Sequence, residues 1–191
     1  MVITMEKVKL GAKSHFYPKP ATLIGADVDG RPNYMMAGLA GFISKTPPLF
    51  FAGIGKTKHT HAGIVENGTF SVNVPSESMA VAADFCGLRS GKDVDKAKVF
   101  DSFYGELGNA PMIKDSPLTI ECKVIDTLDY GGKVDIFVGE AMQVYSSDEF
   151  LTDGSLDIEK VRPILYASPE VWYYGVGERV AKAKSSGLSL E

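Results

Sequence analysis

Residues 29–60 read DGRPNYMMAGLAGFISKTPPLFFAGIGKTKHT, and the rest of the 191-residue chain can be interpreted outward from them. The segment opens with turn chemistry at Asp29-Gly30, where glycine readily takes a positive φ. A run of small and apolar residues follows from Tyr34 to Ile43, and a proline corner follows at Pro47-Pro48. The apolar residues from Leu49 to Ile54 then predict a strand.

The return strand after the turn, predicted from Asn33 to Ile43, contains an unusual number of small residues. Ala37, Gly38 and Ala40 make it a weak strand by propensity alone. A predicted strand with such weak strand propensity is typical of a place where a ligand or a second backbone approaches closely. We therefore expect these small residues to leave room for a flat aromatic ligand against the main chain.

The segment ends in a basic, hydroxyl-bearing loop, Gly55-Lys56-Thr57-Lys58-His59-Thr60. Its first three residues resemble the end of a P-loop, but Phe50 stands where a P-loop requires a glycine. Lysines, hydroxyls and free N–H groups at the start of a helix still form an anion site. The loop is therefore either a phosphate site or a solvated basic turn.

The rest of the chain favours short strands. Further strands are predicted at residues 21–26, 69–74, 118–127, 134–145, 163–166 and 171–174. One short helix is predicted from His61 to Glu66 with Thr60 as its cap. A second is capped by Ser76 or Ser78 and stopped by Gly87. About seven strands without βαβ alternation predict a mainly β fold, an antiparallel barrel with short helices at its ends or gaps.

Composition indicates one ordinary globular domain spanning residues 1–191, with a lead-in at 1–17 and a flexible tail at 185–191. The net charge of −4, with both signs interspersed, argues against nucleic-acid binding. No apolar run approaches the ~18 residues of a membrane span, and no signal peptide is recognisable. Cys86 and Cys122 do not form a disulfide framework, so a cytoplasmic location is expected.

The sequence predicts neither a metal site nor a catalytic side chain. His59 and His61, two residues apart, face different ways on a helix, and His15 lies in the lead-in. A G-x-S-x-G nucleophile motif is absent. Cys86 precedes Gly87 at the end of a predicted helix, where the helix dipole raises a thiol pKa, so a small buried residue is the better interpretation.

Several segments together resemble the flavin reductase-like, FMN-binding split-barrel family, and within it the flavoredoxins. The resemblance covers roughly residues 18–178. It is carried by Pro18-Lys19-Pro20-Ala21, Asp29-Gly30-Arg31-Pro32-Asn33, Ser44-Lys45-Thr46-Pro47-Pro48, Lys58-His59-Thr60, residues 67–73, Asp84-Phe85-Cys86-Gly87, Ser90-Gly91-Lys92, Asp95-Lys96, residues 162–166 and residues 174–177.

This resemblance implies a Greek-key split barrel, a homodimer, and one FMN per subunit held non-covalently near the dimer interface. Independently of the resemblance, the aromatic residues Tyr166, Trp172, Tyr173 and Tyr174 are expected to close a core or a dimer interface, or to cover a flavin edge. Carried over by position, the FMN-binding residues are Asn33, Met36, Ala37, Gly38, Leu39, Ala40, Gly55, Lys56, Lys58, His59, Thr60 and Lys96.

Two positions depart from the family pattern. Leu39 stands where relatives often carry an aromatic residue, and Asp135 stands where relatives often carry a histidine. The missing histidine favours a flavoredoxin-like electron carrier over an NAD(P)H-dependent flavin reductase, with NAD(P)H or an electron-transfer protein as redox partner. The alternatives are a non-redox barrel that binds another phosphorylated or aromatic ligand, and a structural dimer with a vestigial site.

Overall fold

Antiparallel strand pairing dominates the structure, a computed structural model that describes residues 6–190. The first five residues of the predicted lead-in and the last residue of the predicted tail lie outside this range. The strands are β1 (Lys19–Pro20), β2 (Thr22–Val28), β3 (Arg31–Ala37), β4 (Ala40–Lys45), β5 (Pro48–Gly55), β6 (Thr69–Val74), β7 (Ser102–Phe103), β8 (Met112–Ile113), β9 (Leu118–Asp129), β10 (Val134–Tyr145), β11 (Leu151–Thr152), β12 (Ser155–Leu156), β13 (Leu165–Ala167) and β14 (Trp172–Tyr174).

Helices are few and short. They are α1 (His59–Asn67), α2 (Ala80–Leu88) and α3 (Ile158–Val161), with 3-10 turns at Glu77–Met79, Lys96–Lys98, Asp148–Phe150 and Ser186–Leu190. The last of these turns falls in the predicted flexible tail, whose mobility remains a prediction. Within residues 6–190, no helix combines the length and the apolar character needed to cross a membrane.

The principal sheet has seven strands in the order β3-β2-β6-β9-β10-β5-β4. Its two edge strands are consecutive in the chain. Ala37 ends one and Ala40 begins the other, so the edges approach to within about 11 Å, the reach of three residues. The sheet must therefore curl into a barrel, although no ladder joins β3 to β4 within the described range. The predicted mainly β barrel with short helices is confirmed.

The start of the barrel follows the predicted turn, but the return strand is not continuous. Asp29 and Gly30 both have positive φ, and β3 pairs with β2 along its whole length. The prediction of one strand from Asn33 to Ile43 is wrong, because the chain crosses between sheet edges at residues 38–39. There Gly53 donates its N–H to the Leu39 carbonyl at 2.7 Å, which fixes the crossing.

Neither predicted helix cap is used. α1 begins at His59 rather than His61, after Lys58, and no side-chain cap bond is formed. The Thr60 hydroxyl instead accepts a hydrogen bond from the Asn33 side chain at 2.7 Å. Ser76 and Ser78 bond to each other at 2.9 Å ahead of α2.

Gly87 does not stop α2, which continues to Leu88. A side chain on Gly87 would place its Cβ 3.3 Å from Cβ of Met36. The glycine therefore permits close packing of α2 on β3 rather than ending the helix.

Two cores lie on opposite faces of β2, as the alternation along this strand requires. Ile24 and Ala26 point into the barrel with Phe70 and Phe137. Leu23 points the other way and packs under α2 with further buried residues, namely Ala21, Tyr34, Met79, Ala83, Cys86, Phe100, Ile113 and Ile164. Cys86 and Cys122 are free and buried, which confirms the interpretation of Cys86 as a small buried residue.

Candidate functional site

Two adjoining clefts open beside the start of α1. The first, which we call the inner cleft, has a volume of about 190 Å³ and lies between residues 57–60 and residues 86–91. The second, which we call the outer cleft, has a volume of about 570 Å³ and lies between residues 28–33 and residues 91–96. His59, Gly91 and Lys96 line both, so the two clefts are continuous.

The inner cleft is electropositive in a chain whose net charge is −4. Among residues 6–190, its charged lining consists of Lys58, Arg89 and Lys96 and includes no carboxylate; His59 also lines it. Thr57, Thr60 and Ser90 also line it. The N–H groups of His59 and Thr60 belong to the same loop at the start of α1, whereas the N–H of His61 donates to the Lys58 carbonyl at 3.1 Å. Cations and hydroxyls at the start of a helix are groups that are able to bind an anion.

Asn33 is a buried polar residue in the wall between strand β3 and α1. Its side chain is 4% exposed, and Nδ2 donates to Thr60. Its Oδ1 is buried and has no hydrogen-bond partner within the described part of the chain. A Cβ on Gly91 would collide with this oxygen and would lie 2.6 Å from Cδ2 of His59. Gly91 therefore permits a contact that other residues would prevent, and Asn33 keeps a free acceptor beside it.

Lys96 is buried at the junction of the two clefts. Its Nζ donates to the carbonyl of Tyr34 at 2.8 Å and to the carbonyl of Cys86 at 2.7 Å. Burial lowers the pKa of Lys96, and nearby Lys58 acts in the same direction. The ammonium thus ties β3 to α2. Because it has three N–H donors, one remains for a ligand.

Lys56 does not line either cleft, because it is neutralised on the opposite side of its loop. Its Nζ lies 2.6 Å from Asp129 and 3.3 Å from Asp135. The hydrogen bond to Asp129 raises the pKa of Lys56. Asp135 also contacts Nε2 of His61 at 2.7 Å. The hairpin position that departs from the family's histidine is therefore paired with a histidine from α1.

The segment from Met36 to Ala40 lies outside both clefts, along the edge between β3 and β4. Gly38 lies under Tyr166, since a Cβ there would be 3.2 Å from Cδ1 of that ring. Leu39 is 49% exposed and packs over Gly53. Gly55 packs against the Lys58 side chain.

Of the predicted FMN residues, the structure brings five into the clefts: Asn33, Lys58, His59, Thr60 and Lys96. It leaves Met36, Ala37, Gly38, Leu39, Ala40, Gly55 and Lys56 outside them. Sequence reasoning missed Arg89, Ser90 and Gly91 as site residues. The signal was present, since Ser90-Gly91-Lys92 carried part of the resemblance and follows a predicted helix.

Comparison with known proteins supports the same classification. The family model described as flavin reductase like domain matches residues 14–169. The chain is 42% identical to flavoredoxin from Methanosarcina acetivorans, covering 98% of this chain and 100% of that one with a TM-score of 0.94. It is 36% identical to flavoredoxin of Desulfovibrio vulgaris (Miyazaki F), covering 95% and 100% with a TM-score of 0.87.

A curated relative from Aeropyrum pernix, an uncharacterized protein, is 29% identical over 155 residues. That alignment covers 78% of this chain and 57% of the relative, so the chain spans little more than half of that protein's length. The family model, in contrast, matches most of the chain. Together with the barrel and the basic cleft beside α1, the match establishes that the chain belongs to the flavin reductase-like domain family, within which it is similar to flavoredoxins.

Proposed function

We propose that the chain binds FMN non-covalently and moves electrons through it. The observation that carries this proposal is the inner cleft, where three cations and three hydroxyl residues converge without a carboxylate. A phosphate dianion needs charge-assisted hydrogen bonds, and Lys58, Arg89 and Ser90 are available to donate them. Family membership supports a flavin as the ligand.

The donor set of the wall also fits the sugar-alcohol part of FMN. The ribityl chain carries hydroxyl donors, and the free Oδ1 of Asn33 is a buried acceptor without a partner. The third N–H of Lys96 is available to a ligand oxygen at the same junction. When bound, the flavin would supply the redox chemistry, while these residues bind and orient it.

The inner cleft is too small for the whole cofactor. Its 190 Å³ is below the roughly 300 Å³ at which ligand pockets usually begin. We infer that the phosphate occupies it, that the ribityl chain lies where the two clefts meet, beside Asn33 and Lys96, and that the ring lies outside, along Met36–Ala40. Leu39, Phe42 and Ile43 are each about half exposed at this edge. A second copy that covers them would make the homodimer expected of the family and would shield the ring.

The environment of Asp135 bears on which electron donor the flavin would use. We propose an electron carrier rather than an NAD(P)H-dependent reductase, because Asp135 is engaged with His61 and Lys56. We also propose a reducing compartment, the cytoplasm, since Cys86 and Cys122 are both free. Anaerobic spectra with NADH and NADPH separate the two roles: the flavin of a carrier stays oxidised, and that of a reductase bleaches.

The cofactor itself is tested by titration. Purified protein should be yellow, with one FMN per chain, and dithionite should bleach it. Because the proposal rests on phosphate contacts, riboflavin should bind about 100-fold more weakly than FMN. Asn33→Leu, which removes the acceptor proposed for the ribityl hydroxyls, should weaken both ligands equally. Colourless protein that ignores added FMN would contradict the proposal.

A further inference from the structure

A third cavity, separate from both clefts, lies between the end of the lead-in and the β13–β14 hairpin. Its volume is about 250 Å³, and it shares no lining residue with the inner or the outer cleft. Three tyrosines, Tyr17, Tyr166 and Tyr174, line it together with Glu170, and we call it the tyrosine pocket. Because it is smaller than the roughly 300 Å³ at which ligand pockets usually begin, it suits an occupant smaller than a nucleotide.

Glu170 supplies the only charge in the lining of this pocket among residues 6–190. Its Oε1 accepts a hydrogen bond from the Tyr17 hydroxyl at 3.2 Å, and its Oε2 accepts one from the Tyr174 hydroxyl at 2.9 Å. Within that part of the chain, no basic side chain forms an ion pair with it. The hydrogen bond to Glu170 raises the pKa of Tyr174, so the phenol stays protonated at neutral pH. The pocket therefore holds a negative charge that no cation of the described chain neutralises.

The tyrosine rings add to the attraction for a cation. An aromatic ring carries negative electrostatic potential on its face, and a cation within about 6 Å of the ring centre is attracted to it. Tyr17 and Tyr174 each donate to a different oxygen of Glu170, which ties both rings to the carboxylate. Tyr166 lines the same cavity and packs on Tyr173, with ring centroids 5.7 Å apart. Rings and carboxylate together therefore define a site for a positive group.

The backbone next to Glu170 is strained. Val171 has a φ of 60°, which is an outlier for a β-branched residue. Its N–H donates to the Ala167 carbonyl at 2.9 Å and closes the turn between β13 and β14. Such strain persists where the surrounding structure maintains it, and it clusters at ligand sites. The turn is therefore a second reason to interpret this pocket as a binding site.

We propose that the tyrosine pocket binds a small quaternary ammonium ion. Both oxygens of Glu170 already accept a phenol hydrogen bond, which leaves fewer free acceptor sites than the three N–H donors of a primary ammonium require. A primary ammonium is also strongly hydrated and would lose that water. A quaternary ammonium needs the negative charge and the ring faces, but no hydrogen-bond acceptor. The site does not depend on the flavin, because it is separate from both clefts.

Choline titrations of the purified protein test this assignment. The methyl protons of choline should shift upfield in NMR spectra, because ring currents shield groups that lie over aromatic faces. The uncharged analogue, in which a carbon replaces the choline nitrogen, should bind at least about tenfold more weakly. Ethanolamine, which carries a primary ammonium, should also bind at least about tenfold more weakly. Calorimetry measures the three Kd values.

Variants separate the charge from the rings. Glu170→Gln keeps the shape of the side chain and removes its charge, so the Kd for choline should rise about tenfold. Tyr174→Leu should cause a similar rise, whereas Tyr174→Phe keeps the ring and should stay within about threefold. The control is Glu149→Gln, which removes an exposed carboxylate outside the pocket and should leave the Kd unchanged.

The outcomes decide between this site and simpler interpretations. No choline binding, or binding without an upfield shift, would overturn the assignment. Equal affinity for choline and its uncharged analogue would show an apolar pocket only, and equal losses in Glu170→Gln and Glu149→Gln would show an effect of net charge only. Either result would reject the cation site. Circular dichroism and the fluorescence of Trp172, the single tryptophan of the chain, verify that each variant is folded.

Discussion

Lys56 and Lys58 lie two residues apart in one loop, yet they belong to different electrostatic environments. Lys56 turns to the β9–β10 hairpin, where Asp129 and Asp135 neutralise it. Lys58 lines the inner cleft with Arg89 and Lys96, where no carboxylate is present. Both lysines were assigned to the cofactor by resemblance. The difference shows that the charge a loop carries in its sequence is not the charge that it offers to a ligand.

The largest expected effect concerns Gly91, which lines both clefts. Gly91→Val places a branched side chain where a Cβ already collides with Asn33 Oδ1 and crowds His59. Because Gly91 and His59 line both clefts, we expect the Kd for FMN to rise more than about 100-fold. Gly177→Val is the control, since nothing lies within 4 Å of a Cβ there. A folded Gly91→Val protein with native FMN affinity, measured by fluorescence titration, would refute the assignment of the cleft.

A smaller effect should separate the two lysines directly. Lys58→Ser removes a free cation from the inner cleft, so the Kd for FMN should rise about tenfold. Lys56→Ser makes the same chemical change two residues away and should leave the Kd within about twofold. Parallel titrations at several salt concentrations measure both. Equal losses in the two variants would show that the ion pairs of Lys56 open when the ligand binds.

The sequence predicted the barrel better than the site, for a physical reason. Strand patterns such as Thr69–Val74 are local, and the structure reproduces that strand residue for residue. The Thr60 cap failed because its hydroxyl is engaged by Asn33, 27 residues away. The neutralisation of Lys56 likewise depends on Asp129, 73 residues away. Such partners come from tertiary structure, which no window of sequence contains.

The family resemblance identified a site residue that local sequence patterns did not identify. Lys96 has no local signal as a ligand, and only its position in the family motif identified it. Its burial and its two carbonyl partners, Tyr34 and Cys86, became visible only in three dimensions. Arg89 was missed because an exposed arginine after a helix is indistinguishable, by sequence, from a solvated charge.

The substitution Asp135→Asn tests how far the pairing of Lys56 keeps this lysine away from the ligand. It removes one of the two carboxylates that pair with Lys56 and keeps a hydrogen-bonding side chain beside His61. We expect the free energy of unfolding to fall, because Asp135 and His61 are both partly buried where they pair. FMN affinity should rise about twofold as Lys56 becomes less fully neutralised. Chemical denaturation and FMN titration measure the two effects, with the exposed Asp115→Asn as control.

The smallest effect concerns the Asp129 carboxyl, whose pKa is lowered first by the hydrogen bond from Lys56 and then by the N–H of Gly131. An aspartate with a depressed native pKa adds stability above its unfolded pKa, and this contribution is lost as the pH falls through the native value. Lys56 should therefore remain paired near neutral pH and be released only in acid. In Lys56→Ser, the NMR titration midpoint of Asp129 should move up toward the usual aspartate value, though not fully, since Gly131 still donates. An unmoved midpoint would mean that Asp129 does not hold Lys56 in solution. Lys56 would then be as available to the phosphate as Lys58, and the separation of the two environments would be lost.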